Sequence, residues 1–183
     1  MVPGEEHSAV KAKQITGEHT AIRPPDPAET PLLVQLAVAT GLFSPVEADL
    51  LLRDTLNNFH EGRLGEDHIV RVWSEGEGTP PTGWAYFARN AASNQVWDLW
   101  WIGVTPDRHG EGIGRALLTA VESHVLAAEG RLLIVETSSL PTLARARKFY
   151  MRSKYVACGE VPDFYADGDN KITFAKRLTV RAP

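Results

Sequence analysis

Branched and aromatic side chains concentrate in three segments near the middle of the chain, residues 69–73, 84–88 and 96–104. Such side chains favour β-strands, and the glycine, proline and small polar residues between the segments favour turns. The three segments therefore predict an antiparallel meander. A short segment at 19–23 predicts one further strand ahead of it.

Two helices are predicted between the first strand and the meander. The first can begin at Asp26 or at Thr30, and it ends at Gly41, because glycine tolerates the left-handed backbone that often ends a helix. The second begins more sharply: Ser44 and Glu47 have the spacing of a capping box, with proline at the first helical position.

A change of period marks the next element, at residues 112–129. Four apolar residues recur there at intervals of four, which predicts an amphipathic helix. They are Ile113, Leu117, Val121 and Val125. Gly130 is the predicted stop. The apolar run 132–135, in a strand extending to 137, predicts a central strand covered on both faces. Because a long helix links it to strand 96–104, the two strands should be parallel.

A last helix at 141–152 and strands at 156–160 and 171–178 complete the prediction. The fold class is α/β (α+β mixed): a seven-stranded mixed sheet with an antiparallel first part, a parallel central pair and four flanking helices. We expect one domain over residues 19–180, because the first 18 residues are polar and without periodicity and are predicted to form a flexible arm.

Composition excludes several classes of protein. The chain has 183 residues, a net charge of -4 and no basic cluster, which argues against nucleic-acid binding. It has no apolar run long enough to span a membrane and no signal-peptide pattern, so we expect a cytoplasmic protein. The single cysteine, Cys158, rules out an internal disulfide, and we interpret it as an inert buried thiol. Its six histidines show no metal-ligand spacing, so we expect no metal.

The strongest local signal is a turn in which Gly110, Gly112 and Gly114 alternate, flanked by Arg108 and Arg115. Without side chains, backbone amides can close on a ligand, and the following helix N-terminus attracts anions. The turn is therefore a candidate phosphate cradle. The alternative is a turn that only lets strand and helix pack. The spacing fits neither a dinucleotide fingerprint nor a P-loop.

This turn resembles the acetyl-CoA motif of the GNAT acetyltransferases, in which Gln or Arg is followed by two residues, Gly, one residue, and Gly or Ala. Gly112 and Gly114 match the glycines of the motif, and His109 stands at the Gln or Arg position. The order of elements also resembles the GNAT fold, over about residues 19–178. The resemblance implies a sheet whose central parallel strands splay apart.

A second segment extends the resemblance. Phe149, Tyr150 and Tyr155 match an aromatic segment after the fifth strand of that fold, but Lys154 stands where the family usually has glycine. We expect Lys154 either to leave the helix without a left-handed end or to adopt that conformation at a cost.

The resemblance also implies a donor site for acetyl-CoA. Main-chain groups at the end of the fourth strand would bind the pantetheine arm, with the Val104 amide polarising the thioester carbonyl. The cradle would hold the diphosphate. The implied donor-binding residues are Trp101, Ile102, Val104, His109, Gly110, Gly112, Ile113, Gly114 and Arg115.

Two residues are candidates for the chemistry. Glu136, at the carboxyl end of a buried strand, is the first candidate for the general base, because an apolar surrounding would raise the pKa of its carboxyl. Alternatively it caps a helix or pairs with an arginine. Tyr150 is the candidate acid, since a phenol keeps its proton at neutral pH. Alternatively its hydroxyl is a hydrogen-bonded part of the core.

The acceptor is predicted to be a primary amine of a small molecule, peptide or protein. Asp98, Asp163 and Tyr165 are candidates for binding it, the last two in an acidic, aromatic loop before the final strand, and Asp98 is also a rival base. We expect direct transfer in a ternary complex, because no activated serine or cysteine can be assembled. Transfer of another acyl group, a non-catalytic coenzyme A-binding module and a homodimer all stay open.

Overall fold

The computed structural model describes residues 21–41, 43–76 and 78–179, so the predicted N-terminal arm at 1–18 lies outside the described residues. Seven strands form one mixed sheet in the order β1-β2-β3-β4-β5-β7-β6. The strands are β1 (Ala21–Arg23), β2 (His68–Ser74), β3 (Gly83–Arg89), β4 (Val96–Val104), β5 (Leu132–Ser138), β6 (Val156–Ala166) and β7 (Asp169–Arg177).

Four helices flank the sheet, as the sequence predicts. They are α1 (Thr30–Ala39), α2 (Pro45–Glu47 continued by a π-helical Ala48–Arg53 and by Asp54–His60), α3 (Ile113–Ala127) and α4 (Ala144–Arg152). Short 3-10 turns precede three of them, at Pro27–Glu29, Pro106–Arg108 and Pro141–Leu143.

The first two helices begin where side chains accept hydrogen bonds from backbone amides that have no partner within the helix. Both predicted starts of the first helix are used, because a 3-10 turn follows Asp26 and α1 begins at Thr30. The Asp26 amide donates to the Glu29 carboxylate at 2.8 Å. At α2 the predicted capping box is confirmed: the Glu47 amide donates to Ser44 Oγ at 3.2 Å, and the Ser44 amide donates to the Glu47 carboxylate at 2.8 Å.

The relative direction of neighbouring strands changes from antiparallel to parallel between β4 and β5. Strands β1 to β4 form antiparallel neighbours, while β4 and β5 pair in parallel from Val96 with Leu132 to Leu99 with Val135 and no further. Beyond that point the two strands separate, which confirms the predicted splayed pair. The register shift between β3 and β4 skips Trp100, and this β-bulge lies where the separation begins.

Two large cores, with a smaller cluster of Trp73, Val104, Ile113 and Leu117, hold the helices on the sheet. α1 and α2 pack on one face of β2 to β4, where the Trp84 indole donates to the Leu33 carbonyl at 3.1 Å. α3 and α4 pack on the other core, together with β4, β5 and β7. Its buried residues include Leu99, Leu118, Val121, Val125, Leu133, Val135, Tyr150 and Phe174.

The prediction that β5 is covered on both faces was wrong. Leu133 and Val135 are buried, but Ile134 between them is only half-buried and Glu136 is exposed. Burial thus alternates along β5, because α3 and α4 cover one of its faces and the other stays open to solvent.

The hairpin of β6 and β7 is longer than the sequence suggests. The segment predicted as a loop belongs mostly to β6, which runs to Ala166, and only residues 167–168 separate the two strands. Every residue of β6 is exposed because this strand lies at the edge of the sheet. Cys158 is on β6 and is exposed, so the prediction of a buried thiol was also wrong.

Gly130 follows the end of α3, as predicted, but for another reason. The left-handed residue there is Glu129, with φ 59°. A Cβ at Gly130 would lie 2.4 Å from Val125 and 2.7 Å from Trp97. Glycine is needed at this position because the backbone passes close to the core.

Lys154 adopts the left-handed backbone conformation, with φ 70°. This is the second of the two outcomes expected from the sequence, the one that carries a cost for a residue other than glycine. The conformation lets the Tyr155 amide donate to the Tyr150 carbonyl at 3.0 Å and so closes the end of α4. Side chains with a Cβ are strained in this region, whereas glycine is not.

Replacing Lys154 by glycine should therefore stabilise the fold. The gain should be about 0.5–1 kcal/mol, since relief of left-handed strain exceeds the added entropy of an unfolded glycine. Urea unfolding of Lys154→Gly and of the matched control Lys154→Ala, which keeps the Cβ, measures the difference. Equal stability of the two variants would contradict this account.

Candidate active site

A cleft of about 640 Å³ opens where β4 and β5 separate. Its walls are the end of β4, the glycine turn before α3, the end of β5 and one side of α4. The edge of β4 that faces β5 has no strand partner beyond Leu99, so the main-chain groups of residues 100–104 on that edge are available to the cleft, apart from the Val104 carbonyl, which His109 binds. These residues include the predicted donor-binding residues Trp101, Ile102 and Val104, of which Trp101 has its indole buried against α1 and α2.

The glycine turn forms the floor of this cleft beside α3. Gly110 and Gly112 have φ of 95° and 93°, a left-handed backbone that favours glycine. The first helical hydrogen bond runs from the Ala116 amide to the Gly112 carbonyl at 2.9 Å. The amides of Ile113, Gly114 and Arg115 therefore have no partner within the helix and are free to bind a ligand.

Gly114 needs a different explanation from the other two glycines. Its φ is not left-handed, and a Cβ there would make ordinary contacts of 3.7 Å with Val104 and 3.9 Å with Phe149. These contacts show that α4, through Phe149, packs directly beside the N-terminus of α3.

His109 fixes the turn to the end of β4. Its Nε2 lies 2.9 Å from the Val104 carbonyl oxygen, so this ring nitrogen is the donor. The sequence placed His109 among the implied donor-binding residues but did not predict this hydrogen bond. The side chain supplies a hydrogen bond between the turn and the strand whose backbone lines the cleft.

The two arginines that flank the turn differ in their partners. Arg108 pairs with Glu111 and Glu75, and its guanidinium lies 5.8 Å from the centre of the Trp73 ring. The Arg108 guanidinium is therefore already paired within the protein. Arg115 has no ion-pair or hydrogen-bond partner within the described part of the chain and lines the cleft.

Sequence reasoning missed the positive residues of α4. Arg145, Lys148 and Arg152 line the cleft opposite the glycine turn. Their spacing of three and four residues places them on one face of the helix. That spacing was a signal, but only the packing of α4 beside α3 shows that the face points into a cleft.

Tyr150 borders the same cleft from the core side. It is 7% exposed, and its ring lies 5.8 Å from Phe174 and 5.9 Å from Tyr155, centre to centre. Burial raises the pKa of the Tyr150 phenol far above 10. The hydroxyl therefore carries its proton at neutral pH, and within the described residues it has no hydrogen-bond partner.

Glu136 reaches the cleft from the end of β5. Its side chain is 44% exposed, and its Oε1 lies 3.1 Å from Lys171 Nζ. Lys171 Nζ also lies 4.1 Å from the centre of the Phe164 ring. The surrounding is thus polar and partly solvated, unlike the apolar one expected from the sequence, and the pairing is with a lysine instead of an arginine.

Asp98 is half-buried on β4 and accepts a hydrogen bond from Asn90 Nδ2 at 2.8 Å. Burial raises the pKa of the Asp98 carboxyl, the hydrogen bond from Asn90 opposes that rise, and repulsion from Glu136 adds to it. Asp98 and Glu136 are thus near enough for their charges to interact.

Tyr165 belongs to the same neighbourhood, whereas the Asp163 side chain has another role. Tyr165 is 48% exposed, but the partial burial of its ring raises the pKa of the phenol, and the negative charges of Glu136 and Asp169 raise it further. Asp163 has φ 51°, and its carboxylate accepts a hydrogen bond from the Gly168 amide at 2.7 Å. The structure therefore brings Asp98, Glu136 and Tyr165 together and places the Asp163 carboxylate in the hairpin.

Two kinds of feature are absent from the described residues. No group of three or more His, Cys, Asp or Glu side chains there could hold a metal ion. Over the same residues, no helix has the length and apolar character required to cross a bilayer.

Comparison with known proteins defines the class. Residues 66–157 match the family model described as an acetyltransferase (GNAT) domain. A protein from Desulfovibrio desulfuricans assigned to the GNAT family of acetyltransferases is 31% identical, with a TM-score of 0.79 over 87% of this chain and 99% of that one. The chain therefore belongs to the GNAT acetyltransferase family.

More distant solved structures share the fold. The ribosomal-protein-S18-alanine N-acetyltransferase of Escherichia coli is 17% identical, with a TM-score of 0.67 over 89% of this chain and 96% of that one. The Salmonella typhimurium protein yncA, solved with its cofactor acetyl-CoA, is 17% identical, with a TM-score of 0.69 over 91% and 98%. No curated protein sequence matches the chain significantly.

Proposed function

We propose that this enzyme transfers an acetyl group from acetyl-CoA to a primary amine of a small molecule, peptide or protein. One observation carries the proposal: a cradle of free backbone amides, set at the N-terminus of α3, opens into the cleft made by the separation of β4 and β5. The cradle suits a diphosphate, and the exposed edge of β4 suits an extended amide-containing arm. Both are parts of coenzyme A.

The reaction is a direct attack in a ternary complex. The amine nitrogen forms a bond to the thioester carbonyl carbon, the carbon–sulfur bond breaks, and the thiolate leaves with the electron pair. The amine loses one proton to a base and the thiolate gains one from an acid. Tyr150 supports the acid role, because it borders the cleft and burial keeps its phenol protonated.

The position of Glu136 supports its assignment as the general base. It is the one carboxylate that lines the cleft among the described residues, and an ammonium group with a pKa of about 10.4 needs a base or water to become a nucleophile. Asp98, whose pKa is raised, is the rival, and it lies beside the cleft without lining it.

The residues on the solvent-exposed face of the sheet near Glu136 favour an acceptor that carries a positive charge. Asp98 and Tyr165 are close to Glu136, and the Trp100 side chain in the bulge of β4 is 63% exposed and lines the cleft. Carboxylates beside aromatic faces attract ammonium groups.

Release of free coenzyme A thiol, measured with acetyl-CoA and a panel of small amines and peptides, tests the function. Acetyl-dependent release with one amine class supports it. Faster release from propionyl-CoA or succinyl-CoA would assign another acyl group, and tight acetyl-CoA binding without release for any amine would make the chain a binding module.

Gly112→Ala should weaken acetyl-CoA binding by about tenfold or more, because a left-handed alanine costs about 1–2 kcal/mol and the cradle would relax away from its geometry. The matched control is Gly65→Ala, at φ 90° with open space around it and outside the cleft. Calorimetry should show weaker binding for Gly112→Ala alone, although unfolding should show both variants destabilised. Equal affinities would remove the cradle from donor binding.

Tyr150→Phe should lower kcat by about a hundredfold, the usual contribution of a general acid, with little change in acetyl-CoA affinity. Tyr155→Phe is the control, because it removes a phenol from the same aromatic cluster without touching the cleft. Steady-state kinetics and calorimetry separate the two effects. An unchanged kcat in Tyr150→Phe would assign that hydroxyl to the core.

Glu136→Gln should abolish the acid limb of the pH profile of kcat/KM, because the base is active only when deprotonated and so activity is lost as the pH falls through its pKa. Asp98→Asn should leave that limb in place. If instead Asp98→Asn removes the limb and Glu136→Gln does not, the base is Asp98, and because burial raises the pKa of its carboxyl, the limb should lie above the pH expected of an ordinary aspartate.

A further inference from the structure

Among the described residues, unpaired positive charge is concentrated at the cleft. Within the described part of the chain most Lys and Arg side chains have an acidic or main-chain partner, as Arg23 has in Glu29 and Lys176 has in Glu122. Six have none, and four of these line the cleft. The six are Arg115, Arg145, Lys148, Arg152, Lys154 and Arg177, of which the last two lie outside the cleft.

Three of the four are on α4. Arg145, Lys148 and Arg152 are exposed and share one face over about 10 Å of helix, at about 1.5 Å per residue. Arg115 faces them from the first turn of α3. Unpaired cations set side by side repel one another, so a row of them in one cleft points to an anionic ligand.

The two walls of the cleft offer different kinds of phosphate contact. At the α3 wall the free amides of residues 113–115, the helix N-terminus and Arg115 suit the diphosphate, whose charge is shared over two bridged groups. The exposed face of α4 offers three side-chain cations, which suit an isolated phosphate monoester with its charge of about -2. Coenzyme A carries both groups, since its ribose has a 3′-phosphate besides the diphosphate.

We infer that Arg145, Lys148 and Arg152 form a binding site for the 3′-phosphate of coenzyme A. The inference rests on the proposed function, and it assigns α4 a role in selecting the donor. The position of Phe149 supports it, because its ring lies 3.9 Å from where a Gly114 Cβ would be and so places α4 beside the N-terminus of α3, with its cations and the glycine turn lining one cleft.

Calorimetry with acetyl-CoA and with acetyl-dephospho-CoA, which lacks only the 3′-phosphate, tests the inference. The unsubstituted protein should bind acetyl-CoA about tenfold or more tightly than the dephospho compound. The triple variant Arg145→Gln, Lys148→Gln, Arg152→Gln should lose affinity for acetyl-CoA and should bind the two donors about equally. Glutamine keeps the length and helix propensity of these exposed side chains.

The control is the triple variant Arg63→Gln, Lys154→Gln, Arg177→Gln, which removes the same charge from residues outside the cleft and should keep the preference for acetyl-CoA. Equal binding of both donors by the unsubstituted protein would overturn this inference and leave the proposed function standing. A loss of affinity by the α4 variant that is equal for both donors would also overturn it, because the cations would then act on the diphosphate. Failure of the unsubstituted protein to bind acetyl-CoA would overturn both proposals.

Discussion

The short parallel pairing of β4 with β5 is the constraint on which the rest of the structure depends. After four paired residues, from Val96 to Leu99, the ladder ends and the two strands diverge. A sheet normally satisfies its main-chain groups with neighbouring strands, so the divergence leaves one edge of β4 open inside the molecule. The bulge at Trp100 lies at the same place, where it turns the strand and exposes an aromatic side chain.

Helix packing converts this gap into a cleft with distinct walls. α3 begins directly after the glycine turn, so its free amides point into the gap, and His109 holds the turn to the end of β4. α4 forms a further wall, with Phe149 beside Gly114 at the N-terminus of α3. Its cations then face the cradle, and Tyr150, one position further along the chain than Phe149, borders the same space from the core.

The cleft joins the two faces of the sheet. Leu133 and Val135 point toward α3 and α4, while Glu136 lies at the end of β5 with its side chain toward the open face and Lys171. The groups proposed to bind the donor are thus on the helical side, and the carboxylates Glu136 and Asp98 are on the open side. Such a division suits a reaction in which donor and acceptor enter from opposite sides of the sheet and the acceptor amine attacks the carbonyl carbon of the donor.

Local pattern in the sequence determined the elements, the sheet class and the glycine cradle, because hydrophobic period, capping residues and alternating glycines act over a few neighbouring residues. Ser44 with Glu47 and the four-residue spacing in α3 were sufficient for their helices. Only the tertiary structure decided the environments of Glu136 and Cys158, the extent of β6, and the role of α4 in the cleft. Each of these depends on which strand lies at the sheet edge and on which helix packs beside α3, and such contacts join residues far apart in the chain.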